Sequence, residues 1–125
     1  MNDLENIQRL TERFKRQMPD GEVYQRRLAE EFELILKQRF TEYFFKICDI
    51  IDLTQDVKHM TRGSAGSSLV CYLLGITDVD PVKWNIPVAR FLNPLRDDLP
   101  DVDIDFEHWR QKDIMERIFK KWPGK

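Results

Sequence analysis

The segment from Pro100 to Phe106 constrains the fold more than any other stretch, because acidic and apolar residues alternate along it without a break. Successive side chains of a β-strand point to opposite faces, so the acidic residues share one face and the apolar residues share the other. The pattern therefore predicts a strand that packs its apolar face on a core. The acidic residues are Asp101, Asp103 and Asp105.

Three carboxylates on one face suit a divalent metal ion, because like charges at close range repel each other unless a cation lies between them. Ligation by oxygen alone favours Mg²⁺ or Mn²⁺. A solvated edge strand, which uses charge to discourage edge pairing, explains the same pattern. A calcium loop of the EF-hand type is excluded, because Phe106 stands where that loop needs Gly and Lys112 stands where it needs Glu.

The second informative segment covers residues 62–68 and reads Arg-Gly-Ser-Ala-Gly-Ser-Ser. It precedes a short apolar stretch that predicts a buried helix over residues 69–74, with Gly75 as its C-terminal cap. A Gly/Ser loop that opens a helix can present N–H groups and the positive end of the helix dipole to a phosphate. An ordinary serine N-cap explains the same residues. The loop is not a Walker loop, because no Gly-Lys-Ser/Thr follows it.

Helical periodicity covers much of the remaining chain. Apolar residues at three- and four-residue spacing predict helices over about 2–17, 22–39 and 107–122. The nearly continuous apolar run over residues 41–53 predicts the central buried helix. A short strand is expected within residues 52–60, and a proline-rich connector covers residues 78–99. The fold class is α/β and helix-rich, with residues 1–40 forming a helical hairpin segment that carries no evident chemical motif.

Composition narrows the class of protein. Hydrophobic residues make up 42% of the chain and charged residues 34%, as in globular proteins. No apolar run approaches the length of a bilayer span, and no signal peptide is visible, so we expect a cytoplasmic protein without membrane contact. Cys48 and Cys71 lie in apolar surroundings, which predicts reduced, buried thiols. The net charge of −2 lacks the basic excess of a stand-alone nucleic-acid binder.

The Gly/Ser loop and the acidic strand together match the needs of nucleotidyl transfer. That reaction uses a cradle for a triphosphate and carboxylates that hold two metal ions roughly 3.5–4 Å apart. Positioning and charge neutralisation are then the main contributions of the protein. The joint occurrence of the two segments favours this chemistry more than either segment does alone.

The same residues resemble the palm region of C-family bacterial DNA polymerases, which comprise the replicative polymerase III alpha subunit and its error-prone relatives. The resemblance runs without a gap from Arg62 to Phe106. Its motifs, in matching order, are Arg62-Gly63-Ser64, Leu69-Val70, Tyr72 to Thr77, Asp80-Pro81, Arg90 to Pro94, Arg96 and Pro100 to Phe106.

The resemblance implies a partial polymerase-β-like nucleotidyltransferase palm over residues 41–125, after the N-terminal helical segment. It implies that Asp101 and Asp103 are the catalytic metal ligands, with Asp105 as a third acidic position, and that two Mg²⁺ ions are the cofactor. The phosphate-binding residues that it implies are Arg62, Gly63, Ser64, Arg90 and Arg96.

The function that the resemblance implies is transfer of nucleotidyl groups from deoxynucleoside triphosphates to a primer end. The expected partners are primer–template DNA, the triphosphates and other polymerase or replisome subunits. In the family a third catalytic carboxylate and the fingers domain lie further along the chain, so this chain alone is expected to be inactive. The alternative is a degenerate palm that acts as a non-catalytic interaction module in replication or repair. A third option is a nucleotidyltransferase acting on RNA or a small molecule.

Overall fold

A computed structural model describes residues 3–92, 102–106 and 108–122 of the chain. These residues form five α-helices and one two-stranded antiparallel sheet. The helices are α1 (Asp3–Glu12), α2 (Glu22–Lys37), α3 (Thr41–Leu53), α4 (Leu69–Leu73) and α5 (Gln111–Lys121), and the strands are β1 (His59–Arg62) and β2 (Asp103–Phe106). This helix-rich fold with a small sheet is compatible with the α/β class.

Helix α3 lies at the centre of the core. Its Phe44 and Ile51 are buried together with Leu10 of α1 and Ile35 of α2. The ring of Phe44 meets the ring of Phe91 edge to face, with the centroids 6.1 Å apart. The first forty residues therefore pack on the same core as the residues that follow them.

The predicted helices agree with the structure to different degrees. Helix α3 begins and ends at the predicted residues, because its long apolar run leaves no other way to bury it. Helix α1 ends at Glu12, earlier than predicted. Beyond a final turn, Lys15 and Arg16 donate their backbone N–H groups to the carbonyl oxygen of Leu73, at 2.7 and 3.1 Å. These bonds to a remote carbonyl replace the bonds that would have continued the helix.

The predicted cap at Gly75 is confirmed. Its φ of 79° lies in the left-handed region, which glycine adopts without a steric penalty. Gly75 donates its N–H to the carbonyl of Tyr72, and Ile76 donates its N–H to that of Cys71. This pair of bonds is a Schellman motif, which turns the chain sharply at the end of α4.

The predicted alternation along the acidic strand is confirmed for its described part. Asp105 is exposed, while Ile104 and Phe106 are half-buried and Ile104 packs against the core. Strand β1 begins at His59, near the end of the region where a short strand was expected, and extends two residues beyond that region to Arg62. Its Thr61 hydroxyl donates to the carbonyl of Ile76. None of the described helices is long and apolar enough to cross a bilayer.

Candidate functional site

The two segments singled out in the sequence meet at the sheet. Strands β1 and β2 pair antiparallel, with Arg62 opposite Asp103 and Met60 opposite Asp105. The Gly/Ser loop follows β1 directly, as a 3₁₀ turn over Gly63–Ser67. The backbone of the loop thus starts beside the acidic strand, although the two are far apart in sequence.

The Gly/Ser loop holds its shape through its own hydrogen bonds. The Ser67 hydroxyl donates to the carbonyl of Ser64 at 2.6 Å, and the Ser68 N–H donates to the carbonyl of Ala65 at 3.1 Å. Ala65 is fully buried, whereas Ser64 and Gly66 are half-buried. The turn therefore anchors one side in the core and leaves the other side accessible to a ligand.

A cavity of about 420 Å³ lies against this accessible side. Its volume is in the range of small-molecule sites in proteins. Two of the residues that line it were predicted to bind phosphate: Ser64 from the Gly/Ser loop and Arg90 from the 3₁₀ turn Val88–Arg90. Arg90 is exposed. The full lining consists of Ser64, Gly66, Ser67, Val79, Ile86 and Arg90.

A carboxylate of the protein itself accepts the first N–H groups of α4. Glu31 of α2 is fully buried and accepts the N–H groups of Leu69 and Val70, at 2.7 and 3.1 Å. The Ser68 hydroxyl donates to Glu31 at 2.7 Å and accepts the N–H of Cys71 at 3.1 Å, which confirms the serine N-cap. Of the two alternatives for the start of α4, the structure therefore favours the N-cap, because Glu31 already satisfies the N–H groups of Leu69 and Val70.

Arg27 joins this arrangement to the cavity. Its Nε donates to Glu31 at 2.9 Å, and its Nη2 donates to the carbonyl oxygens of Ser67 and Ile86, at 2.6 and 2.7 Å. Sequence reasoning assigned no chemistry to the first forty residues and so missed both side chains. The available signal was Glu31 on the apolar stripe of α2, with an opposite charge one turn before it.

Two pKa shifts reflect these contacts. Burial raises the pKa of the Glu31 carboxyl, although its hydrogen bonds with Ser68, Val70 and Leu69 and the charge of Arg27 oppose this effect. The hydrogen bond that Tyr24 donates to Asp80, at 2.6 Å, raises the pKa of Tyr24 to about 12. Both groups belong to α2, the helix that also carries Arg27.

The predicted metal ligands are described only in part. The structure gives the backbone of Asp103 in β2 and an exposed Asp105, whereas Asp101 and Arg96 lie outside the described residues. Within the described residues, no three histidine, cysteine or acidic side chains form a group that could hold a metal ion. The roles predicted for Asp101, Asp103, Asp105, Arg62, Gly63, Ser64, Arg90 and Arg96 therefore stay predictions.

Comparison with known proteins identifies relatives over almost the whole chain. The sequence model of a family described as bacterial DNA polymerase III alpha NTPase domain matches residues 4–125. An error-prone DNA polymerase of Pseudomonas syringae pv. tomato is 38% identical over 121 residues, which cover 93% of this chain and 12% of that protein. An error-prone DNA polymerase of Cutibacterium acnes is 41% identical over 105 residues, 82% of this chain and 9% of that protein.

A relative with a different name is similar to the same degree. The DNA polymerase III subunit alpha of Staphylococcus aureus strain MRSA252 is 41% identical over 104 residues, which cover 81% of this chain and 10% of that subunit. The chain thus spans about a tenth of the length of the curated relatives that it matches.

Proposed function

Because this chain belongs to the bacterial DNA polymerase III alpha NTPase domain family, we propose that it forms part of a deoxynucleotidyl-transfer site in a DNA polymerase. The observation that carries the proposal is the pairing of β1 with β2. Because of this pairing, the backbone of the Gly/Ser loop starts beside the acidic strand. Nucleotidyl transfer needs both parts together, one for the triphosphate and one for the metal ions. In this proposal residues 41–125 are part of a polymerase-β-like palm.

In the proposed site the acidic strand holds the metal. Asp105 is exposed while Ile104 of the same strand packs against the core, so the strand has one face open to solvent. Carboxylate oxygens on an open face fit hydrated Mg²⁺, which dehydrates reluctantly and keeps several waters. Asp101 and Asp103 would hold Mg²⁺, with Asp105 next to them on the strand. When bound, Mg²⁺ neutralises phosphate charge and lowers the pKa of an attacking hydroxyl.

The proposed phosphate cradle is the cavity beside the Gly/Ser loop. Ser64 supplies a hydroxyl and Arg90 supplies a guanidinium to the same cavity, from two different segments of the chain. Guanidinium groups suit phosphate because their donors form a planar fork. Arg62, Gly63 and Arg96 complete the proposed set.

Primer–template DNA and replisome subunits are the proposed partners of the whole polymerase, and the cytoplasm is its proposed location.

The experiment that tests the site measures binding instead of DNA synthesis, because the chain spans only about a tenth of its relatives. A two-dimensional amide NMR spectrum is recorded with Mn²⁺ and then with added dATP. We expect paramagnetic broadening at Ile104 and Asp105, followed by shifts at Ser64 and Ser67 when the nucleotide is added.

The control variants distinguish the proposed ligands from carboxylates in general. The double variant Asp101→Asn/Asp103→Asn should lose the broadening, and Glu33→Gln, which changes an exposed carboxylate of α2, should keep it. Broadening that persists in the double variant contradicts the proposed metal ligands.

A second candidate function is a non-catalytic interaction module. The observation behind this candidate is three exposed apolar side chains on α5 and on the 3₁₀ turn before it, since an exposed apolar patch can bind a protein partner. Trp109 is 74% exposed, Met115 51% and Phe119 49%. A well-dispersed spectrum whose signals change with neither Mn²⁺ nor dATP would favour this function over the nucleotide site.

A further inference from the structure

Three polar side chains of helix α2, Tyr24, Arg27 and Glu31, form hydrogen bonds with the two segments whose residues line the cavity. Tyr24 donates to Asp80 at 2.6 Å, and Asp80 accepts the N–H groups of Val82 and Lys83 at 3.0 and 3.2 Å. These bonds fix the turn that leads to Ile86, whose N–H donates to the carbonyl of Pro81 at 2.8 Å. The helix therefore holds the segment that carries Arg90 as well as the Gly/Ser loop.

The bridge between the two walls is the guanidinium of Arg27. Its Nη2 donates to the carbonyls of Ser67 and Ile86, and each of these residues lines the cavity on a different segment. The Arg27 side chain is only 13% exposed and does not line the cavity itself. Arg27 therefore contacts two lining residues without being exposed in the cavity.

Glu31 keeps the bridge in place. Its Oε2 accepts from Arg27 Nε and from the Leu69 N–H, and its Oε1 accepts from the Ser68 hydroxyl and the Val70 N–H. The carboxylate thus uses both oxygens to join α2, the end of the Gly/Ser loop and the start of α4. A buried charge with four donors around it stays in one position, because any movement would leave donors unpaired.

We propose that Arg27 and Glu31 are positioning residues that set the separation of the cavity walls and, through it, the affinity for a deoxynucleoside triphosphate. This inference rests on the proposed function of the cavity. Ser64 and Arg90 can contact one triphosphate together only at a suitable separation, and Arg27 ties the two segments that carry them. A cavity whose walls are already held in place binds its ligand more tightly, because binding then carries no entropy cost for ordering the walls.

The Arg27→Lys variant tests the bridge. Lysine keeps the positive charge next to Glu31, but its single ammonium lacks the rigid fork that reaches a carboxylate and two carbonyls at once. Arg26→Lys is the matched control, since Arg26 is the adjacent residue and pairs with Glu22 on the exposed side of α2. Ile35→Val is a second control, because it weakens the core on the same helix without touching the bridge.

The first measurement is amide hydrogen exchange without nucleotide. We expect Arg27→Lys to speed exchange at Ser68 and Ile86 together, relative to wild type and both controls. The second measurement is the dissociation constant for dATP with Mg²⁺. We expect about tenfold weaker binding in Arg27→Lys, the effect of losing one charge-assisted hydrogen bond, and unchanged binding in Arg26→Lys.

Several results would overturn the inference. Wild-type exchange rates in Arg27→Lys would show that the guanidinium does not tie the walls, and equal acceleration in Ile35→Val would show only general destabilisation. Faster exchange with an unchanged dATP affinity would refute the positioning role. A wild-type chain that binds no dATP overturns the proposed function and the affinity claim with it, whereas the exchange comparison still decides whether Arg27 ties the walls.

Discussion

Glu31 is the residue whose environment is most demanding. A fully buried carboxylate loses its hydration, and this cost is offset only if hydrogen bonds and an opposite charge replace the lost water. Here two backbone N–H groups, a serine hydroxyl and Arg27 supply that replacement. The charge therefore specifies how α2, the Gly/Ser loop and α4 fit together.

Glu31→Gln should destabilise the fold strongly. The amide nitrogen would face two donors that now meet an oxygen, and Arg27 would lose its counter-charge. We expect the free energy of unfolding to fall by about 3 kcal/mol, the effect of breaking a buried pair. Urea denaturation of the two chains measures the difference. Glu33→Gln, on the exposed side of the same helix, should change stability by less than about 0.5 kcal/mol. Similar losses in the two variants would contradict this account of Glu31.

At the scale of elements, a cluster of ion pairs joins α5 to the body of the protein. Its Arg117 donates to Asp56 and to the carbonyl of Leu53, and Arg110, just before the helix, also donates to Asp56. Asp113 accepts from both arginines. Ile114 is the one described residue of α5 that is buried, so these ion pairs act beside a single buried apolar side chain.

The attachment of α5 should weaken in acid. Hydrogen bonds from Arg117 and Arg110 hold the pKa of Asp56 well below its ordinary value of 3.8. A carboxyl whose folded pKa is lowered stabilises the fold above its unfolded pKa, and this contribution is lost as the pH falls through the folded pKa. Between roughly pH 5 and pH 3, the free energy of unfolding should therefore fall more in wild type than in Asp56→Asn.

Urea midpoints at the two pH values measure this difference. Asp20→Asn, in an exposed turn, serves as the control and should follow wild type. Added salt should reduce the effect, because the Asp56 side chain is 57% exposed and surface charges are screened. Parallel pH dependence of wild type and Asp56→Asn would show that these charges do not hold α5.

At the scale of the whole molecule, the chain has a common core that joins its two predicted parts. Leu10 and Ile35 come from the first forty residues and are buried with Phe44, Ile51 and Leu74 of the second part. Glu31 and Arg27 also supply hydrogen bonds that the second part needs at α4 and at the cavity. Residues from the first forty and from the rest of the chain therefore share one hydrophobic core and one set of buried hydrogen bonds.

Deleting residues 1–40 should prevent the remaining chain from folding. The truncation exposes apolar side chains that now contact α1 and α2, and it leaves the first N–H groups of α4 without Glu31. We expect a collapsed amide spectrum for residues 41–125 and a dispersed one for the full chain. A dispersed spectrum of the truncated chain would show that residues 41–125 are an independent domain.

Local patterns predicted the local structure well. The apolar run of α3, the serine cap of α4 and the Schellman turn at Gly75 depend on residues that are neighbours in sequence, and each is confirmed. The early end of α1 could not be predicted in this way, because the acceptor that ends it is the carbonyl of Leu73. The candidate site divides along the same line, since its loop and strand are local motifs and its support from α2 is not.

The amino-acid sequence by itself determined the helices, the acidic strand, the Gly/Ser loop and the family resemblance, because periodicity and motifs depend on spacing along the chain. Only the tertiary structure decided that β1 pairs with β2, that Glu31 takes the N–H groups of α4, and that Arg27 joins the two walls of the cavity. The physical reason is that buried polar groups must find partners, and those partners are chosen by packing in space, however far apart they lie in sequence.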